Sequence, residues 1–196
     1  GAVFSTGSTM EWLRDGLGLI TDTAEIGPLA EEVPSTEGVY IVPAFTGMGS
    51  PWWDPYARGT IIGLTRGTGL AHLARAVVES MVFRVRDVID AMRDTGAAVA
   101  DLRVDGGASA MELLLQLQAD QIRVPVTRPA TTETTALGVA TMAGLAEGVW
   151  DSLEDLAALW HPDVEHQPEA SAAAVDSAYA GWRRAVERSL GWAAPV

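Results

Sequence analysis

The chain has no cysteine, which removes disulfides, thiol nucleophiles and thiolate metal sites in one step and fits a reducing compartment. Histidine is almost as scarce: His72, His161 and His166 are scattered, without the spacing of a metal-ligand set. Positive charge is in short supply too, with 13 Lys and Arg against 26 Asp and Glu, a formal net charge of -13. Such a surface repels a phosphate backbone and argues against nucleic acid as a partner. Long hydrophobic runs are missing: the most apolar late stretch, Leu137 to Trp150, is too short for a membrane span and is broken by Glu147. Gly1 to Ile20 lacks a basic leader and carries Glu11, Arg14 and Asp15, so no secretory signal is read and the cytoplasm is the expected location.

What is present is enough for one sizeable core, with 48% hydrophobic residues among 196. The pattern Met10, Trp12, Leu13, Leu17 reads as a short amphipathic helix stopping at Gly16 and Gly18. It begins almost at residue one, which points to a longer polypeptide. A short helix is expected around Leu29 to Val33, a buried strand at Val39 to Ala44, and a second strand at Thr60 to Leu64. Between the strands, Phe45 to Gly59 holds too much glycine and proline for regular structure, and its large rings are expected to hold it together. Its tryptophans can pack the loop or serve a subunit contact in a homo-oligomer; packing is the preferred reading.

Helical spacing of Leu73, Val77, Met81, Val85, Val88 and Met92 predicts a long helix over Leu70 to Asp94. Then come a strand at Leu102 to Val104, a helix at Ala110 to Gln121, a strand at Val124 to Val126 and a small-residue helix at Thr134 to Glu147. Helices at Leu153 to Trp160 and Ala170 to Trp192 follow, joined by a polar linker at His161 to Glu169. Alternating strands and helices argue for an α/β architecture with a mixed sheet flanked by helices.

The segment Leu102 to Ser109 (LRVDGGAS) is an apolar strand ending in a glycine pair that feeds a helix. Glycines there let the backbone approach a flat or phosphorylated ligand, and a helix start offers free amide donors. A tight turn without a ligand is the competing reading. Thr65-Arg66-Gly67-Thr68 could face a phosphate, but Thr68 as a helix cap is preferred. Asp54, Glu79 and Asp105 are the acids a mechanism could recruit, and no two form a recognisable catalytic pair.

Several segments together resemble the FGGY carbohydrate kinases, and within them the glycerol kinases. Gly59 to Leu64 (GTIIGL), seven residues, then His72 to Glu79 (HLARAVVE) fits the family's second signature. Val42 to Gly49, Trp53 to Gly59, Arg103 to Ala108, Gln116 to Asp120, Thr134 to Gly138 and Tyr179 to Trp182 add to it. The resemblance implies an actin-like ATPase, ribonuclease-H-type domain. Residues 1–196 would form the carboxy-terminal, second lobe, with ATP in a cleft against an amino-terminal lobe outside this chain. It implies nucleotide contacts at Gly7 and Gly107, with Gly106 and Ala108 shaping the adenosine side. Glu11 and Met111 stand where glycerol kinases commonly place glutamine and asparagine, so amide hydrogen bonds are lost there, although Met111 can still pack on adenine. The implied chemistry is magnesium-assisted transfer of the ATP γ-phosphoryl group to glycerol. The polyol site, phosphate loop and catalytic base are expected in the other lobe, leaving no catalytic and no metal residue here. Xylulose, ribulose or gluconate kinases, and a non-catalytic nucleotide-binding module, are the alternatives.

Overall fold

The computed structural model describes residues 3–131 and 133–195; the expected domain limits, Gly1 and Val196, lie outside them. Helix α1 (Gly7–Glu11) continues into a π-helical turn, Trp12–Gly16, where the Leu17 amide donates to the Trp12 carbonyl at 3.0 Å. The Trp12 ring lies back over Gly16, where a Cβ would come within 2.6 Å of the indole. Gly18, at φ +63°, then ends the helix as expected.

The short helix expected at Leu29 to Val33 lies earlier. A 3-10 turn, Thr23–Glu25, runs into α2 (Ile26–Glu31). Asp22 starts it: its carboxylate accepts from the Ala24 amide at 2.9 Å, and the Glu25 carboxylate accepts from the Asp22 amide at 2.9 Å.

Strands β1 (Tyr40–Val42) and β2 (Thr60–Ile62) pair antiparallel, with Ile41 opposite Ile61. Part of the loop between them is held by its rings, with Phe45 5.2 Å from the Trp12 ring and Trp52 packed on the cluster around Phe83, whereas Trp53 is 64% and Tyr56 45% exposed. Polar contacts hold the rest. Met48 and Asp54 exchange backbone hydrogen bonds, Asp54 Oδ1 accepts from the Tyr56 amide at 2.7 Å, and Arg84 donates to the Ser50 carbonyl at 2.8 Å. The indole nitrogen of half-buried Trp52 donates to Asp87 at 3.1 Å.

Helix α3 (Leu70–Asp94) is the central element. From Ala74 to Arg84 it is buried on nearly every side, with only Glu79 partly open, because α2, α4 and β1 pack on it and α7 lays Tyr179 and Trp182 against Phe83. The expected stripe runs out of the core at Met92, which is 41% exposed, while Ala74, Val78, Val82 and Ile89 are buried outside it. Its residues enter all three apolar clusters: Val77 and Val78 with Leu13, Ile26 and Val39; Phe83 with Val42, Trp182 and Val186; Ile89 with Leu115, Ile122 and Val126. Each fully buried side chain of this size contributes about 1.5–3 kcal/mol.

Strand β3 (Leu102–Arg103), a 3-10 turn (Gly107–Ala110), α4 (Glu112–Ile122) and β4 (Val126–Pro129) follow. Helices α5 (Thr134–Ala146) and α6 (Leu153–Ala157) lead to β5 (Pro162–His166) and α7 (Ala172–Ser189). β3 pairs parallel with β4, and β4 antiparallel with β5, so this sheet is mixed. The segment expected as a polar linker therefore contains a strand. β5 lies at the sheet edge with no fully buried residue, so Asp163, Glu165 and His166 remain near water without breaking the pairing. Its pairing also explains why β4 runs to Pro129 rather than ending at Val126. Ser171 and Ser152 cap α7 and α6, accepting from the Ala174 and Asp155 amides.

Candidate functional site

Where β3 ends, the chain passes through Asp105 into Gly106, at φ +81° and ψ 174°, a conformation essentially reserved for glycine. The Gly106 carbonyl accepts from the Ser109 amide at 3.0 Å and from the Ser109 hydroxyl at 2.7 Å, closing the 3-10 turn. The first amides of such a turn have no acceptor within it. No heavy atom lies within 4 Å of a Cβ built on Gly107, so this glycine borders open space.

That space is a cavity of about 740 Å³ between the turn, the first turn of α1, and the Thr23–Glu25 and α2 segment. Gly7, Glu11, Gly106, Gly107, Ala108 and Met111 all line it, although about 95 residues separate Glu11 from Gly106. Met111 packs on α2: a Cβ on Gly27 would lie 3.3 Å from Met111 Cγ, so that glycine admits the methionine into the wall. Thr6, Thr23, Glu31 and Glu112 also line the cavity and were not expected. Glu112, next to Met111 in sequence, could have been inferred from helical position; Thr23 and Glu31 are brought in by tertiary packing alone.

Four carboxylates, Glu11, Glu31, Asp105 and Glu112, border the cavity. Carboxylates accept hydrogen bonds and repel phosphate, so this region suits ligand hydroxyl and amino donors. Glu112 is held below the usual carboxylate range, first by its hydrogen bond with His166 and then by Arg128. Asp105 accepts a hydrogen bond from the Thr134 hydroxyl at the start of α5.

The other singled-out acids lie elsewhere. Glu79 pairs with Arg75 at 2.8 Å on α3; burial pushes its carboxyl up and Arg75 opposes the shift. Asp54 ties the loop to the segment after α7 through the Gly191 amide at 2.6 Å. Thr68 does not cap α3. The N-cap is Gly69, whose amide donates to His72 Nδ1 at 3.1 Å, while the Thr68 hydroxyl closes a local turn by accepting from the Thr65 amide at 2.9 Å. Among the described residues no group of three or more His, Asp or Glu side chains is placed to hold a metal, and no helix is long and apolar enough to cross a membrane.

Residues 1–147 match the C-terminal domain of the FGGY family of carbohydrate kinases. The chain belongs to this family. The FGGY chain is 52% identical over 195 residues to the glycerol kinase of Aromatoleum aromaticum, covering 99% of itself and 39% of that protein. It is 50% identical over 197 residues to the glycerol kinase of Saccharolobus islandicus, covering 100% of itself and 39% of its relative. Among solved structures, Plasmodium falciparum glycerol kinase with ADP superposes with a TM-score of 0.86 at 32% identity, over 97% of this chain and 38% of that one. The FGGY chain thus has the α/β, actin-like ATPase fold and spans about two fifths of the length of these relatives.

Proposed function

We propose that this FGGY chain is the carboxy-terminal, nucleotide-side lobe of an enzyme that phosphorylates glycerol from ATP to give glycerol 3-phosphate. The observation that carries the reading is the convergence of Gly7, Glu11, Gly106, Gly107, Ala108 and Met111 on one cavity. Its volume accommodates a nucleoside, and Met111 and Ala108 offer an apolar wall for adenine. Glu11 stands as an acceptor for ribose hydroxyls, a role a carboxylate fills where an amide is missing. The carboxylates favour the nucleoside end here, with the phosphates directed outward. Magnesium would travel on those phosphates, held by few protein ligands, and would neutralise charge developing during transfer. Identity of about half with glycerol kinases over nearly the whole chain supports glycerol as acceptor.

Helix α5 supports an amino-terminal lobe as this chain's partner. It buries none of its residues, and Leu137, Val139 and Met142 are 40%, 71% and 59% exposed. An apolar helix without cover asks for a protein surface, and the covering lobe would lie beside the cavity because α5 begins at the Asp105 contact. In this reading that lobe brings the polyol site and a carboxylate base. The base takes the glycerol hydroxyl proton as the oxygen forms its bond to the γ-phosphorus and the β–γ bridging bond breaks. Closure of the lobes excludes water and favours transfer over hydrolysis. The reaction would be cytoplasmic. Trp53 and Trp192, 64% and 76% exposed, are available for a subunit contact in a homo-oligomer.

The test is phosphoryl transfer from ATP by the complete polypeptide across glycerol, xylulose, ribulose and gluconate. Selective phosphorylation of glycerol is expected. Transfer to a sugar instead replaces the substrate, and nucleotide binding without any transfer favours a regulatory module, a reading to which Glu11 and Met111 lend weight.

A further inference from the structure

Arg128, on β4, reaches beneath the Gly107–Ala110 turn. Its Nη1 donates to the Ser109 carbonyl and to Glu112 Oε1, each at 3.0 Å, and its Nη2 donates to Asp163 Oδ2 at 2.8 Å. The side chain is only 13% exposed. A guanidinium is a rigid planar fork, so carboxylates on two of its edges fix the plane and aim an N–H at Ser109. Ser109 is buried, and both its amide and its hydroxyl hold the Gly106 carbonyl. The path from Arg128 to the glycine pair is therefore two hydrogen bonds long.

His166, on β5, holds the other side of Glu112. Its Nε2 lies 2.8 Å from Glu112 Oε2, and its Nδ1 lies 3.0 Å from Gln116 Oε1. The Gln116 orientation follows from its other contacts: its amide nitrogen donates to the Gln167 carbonyl at 2.9 Å and to Asp120 at 3.2 Å, both acceptors. Both ring nitrogens of His166 thus face acceptors. The charged groups around it are Glu112 on α4, with Asp120 behind Gln116; Arg128 on β4, on the far oxygen of Glu112; and Asp163 and Glu165 on its own strand.

The geometry points to Arg128 as the positioning residue of the Gly106–Ala110 turn, with His166 keeping Glu112 against Arg128. This rests on the cavity being the nucleotide site. Neither residue lines the cavity; both act through Ser109 and Glu112.

The experiment is calorimetric titration of ADP into the complete polypeptide, paired with the KM for ATP and kcat. Absence of ADP binding by the wild type sinks the nucleotide reading, and this inference with it. With binding present, Arg128→Met is expected to weaken ADP about tenfold, the worth of one charge-assisted hydrogen bond. The loss should fall on KM rather than kcat. Arg128→Lys keeps the charge but lacks the planar fork that spans the three acceptors, and is expected to fall between. His166→Ala, which removes the contact to Glu112, is expected to weaken ADP less than Arg128→Met does. Wild-type ADP affinity in folded Arg128 variants overturns the inference while leaving the nucleotide site standing.

Discussion

The indole nitrogen of Trp182 lies 3.2 Å from each carboxylate oxygen of Asp87. Tyr179 adds its hydroxyl to Asp87 at 2.7 Å, Trp52 its indole at 3.1 Å and Arg84 its guanidinium at 2.8 Å, so one buried carboxylate joins α3, α7 and the β1–β2 loop. Removing that charge strands Arg84, which is 3% exposed. Asp87→Ala is expected to cost about 3–5 kcal/mol, the usual penalty for breaking a buried ion pair. Thermal unfolding should show a Tm lower by roughly 10 °C; a drop of one or two degrees would show that the network carries little stability.

Gly106 and Gly107 should answer substitution in opposite ways. Gly106→Ala places a Cβ at φ +81° and strains the turn, at about 1–2 kcal/mol of fold stability. Gly107→Val projects into open cavity, so it should unfold like the wild type while raising the KM for ATP. Unfolding curves beside ADP titrations separate the two. Unchanged nucleotide affinity in folded Gly107→Val removes that residue from the site.

Gly181 lies against Tyr40, where a side chain at this position would collide with the phenol ring. Gly181→Ala must push the ring away or displace α7, and Tyr40 would lose its hydrogen bond to the Ala178 carbonyl, 3.1 Å in the native packing. A loss of about 1–3 kcal/mol is expected, read from denaturant unfolding.

These predictions show where local pattern carried the reading and where it did not. The strand, glycine pair and helix at Leu102 to Ser109 were visible because they are contiguous, and so was α3. β5 was not, because an edge strand such as Pro162–His166 buries too little to imprint an apolar alternation. Glycine and proline in the loop before β2 marked irregularity correctly, but the atoms that fasten it, Asp54 to Gly191 and Arg84 to Ser50, join positions far apart in sequence. Thr23 and Glu31 reach the cavity only because α2 packs on α3 and Gly27 admits Met111.

Acid should weaken the tie made by Asp54. Its carboxyl is held below the ordinary range, first by the Gly191 amide and then by the amides of Tyr56 and Ala57. The unfolded chain takes up this proton more readily, so the contribution is complete above the unfolded value near ~3.9 and is lost as pH falls through the depressed one. Asp54→Asn should flatten the fall in Tm below about pH 4. A variant with the wild-type acid profile would assign that fall to other carboxylates.

Val139→Lys tests the cover over α5. In the isolated chain, where Val139 is 71% exposed, the change should shift stability by no more than about 0.5 kcal/mol. In the complete polypeptide it would place an ammonium in the lobe contact, and glycerol phosphorylation should fall at least about tenfold. Wild-type activity there would leave α5 uncovered.

The three clusters that share α3 set a constraint on length as well as on composition. Each residue turns a helix by about 100°, so one residue added or deleted between Phe83 and Ile89 would swing everything beyond it out of phase with what precedes it. Leu115 and Ile122 would then meet a different face of the helix, and with them would move the α4 start that borders the cavity. The spacing of α3 works as a ruler, holding the Gly106–Glu112 wall at a set rotation from the hairpin core.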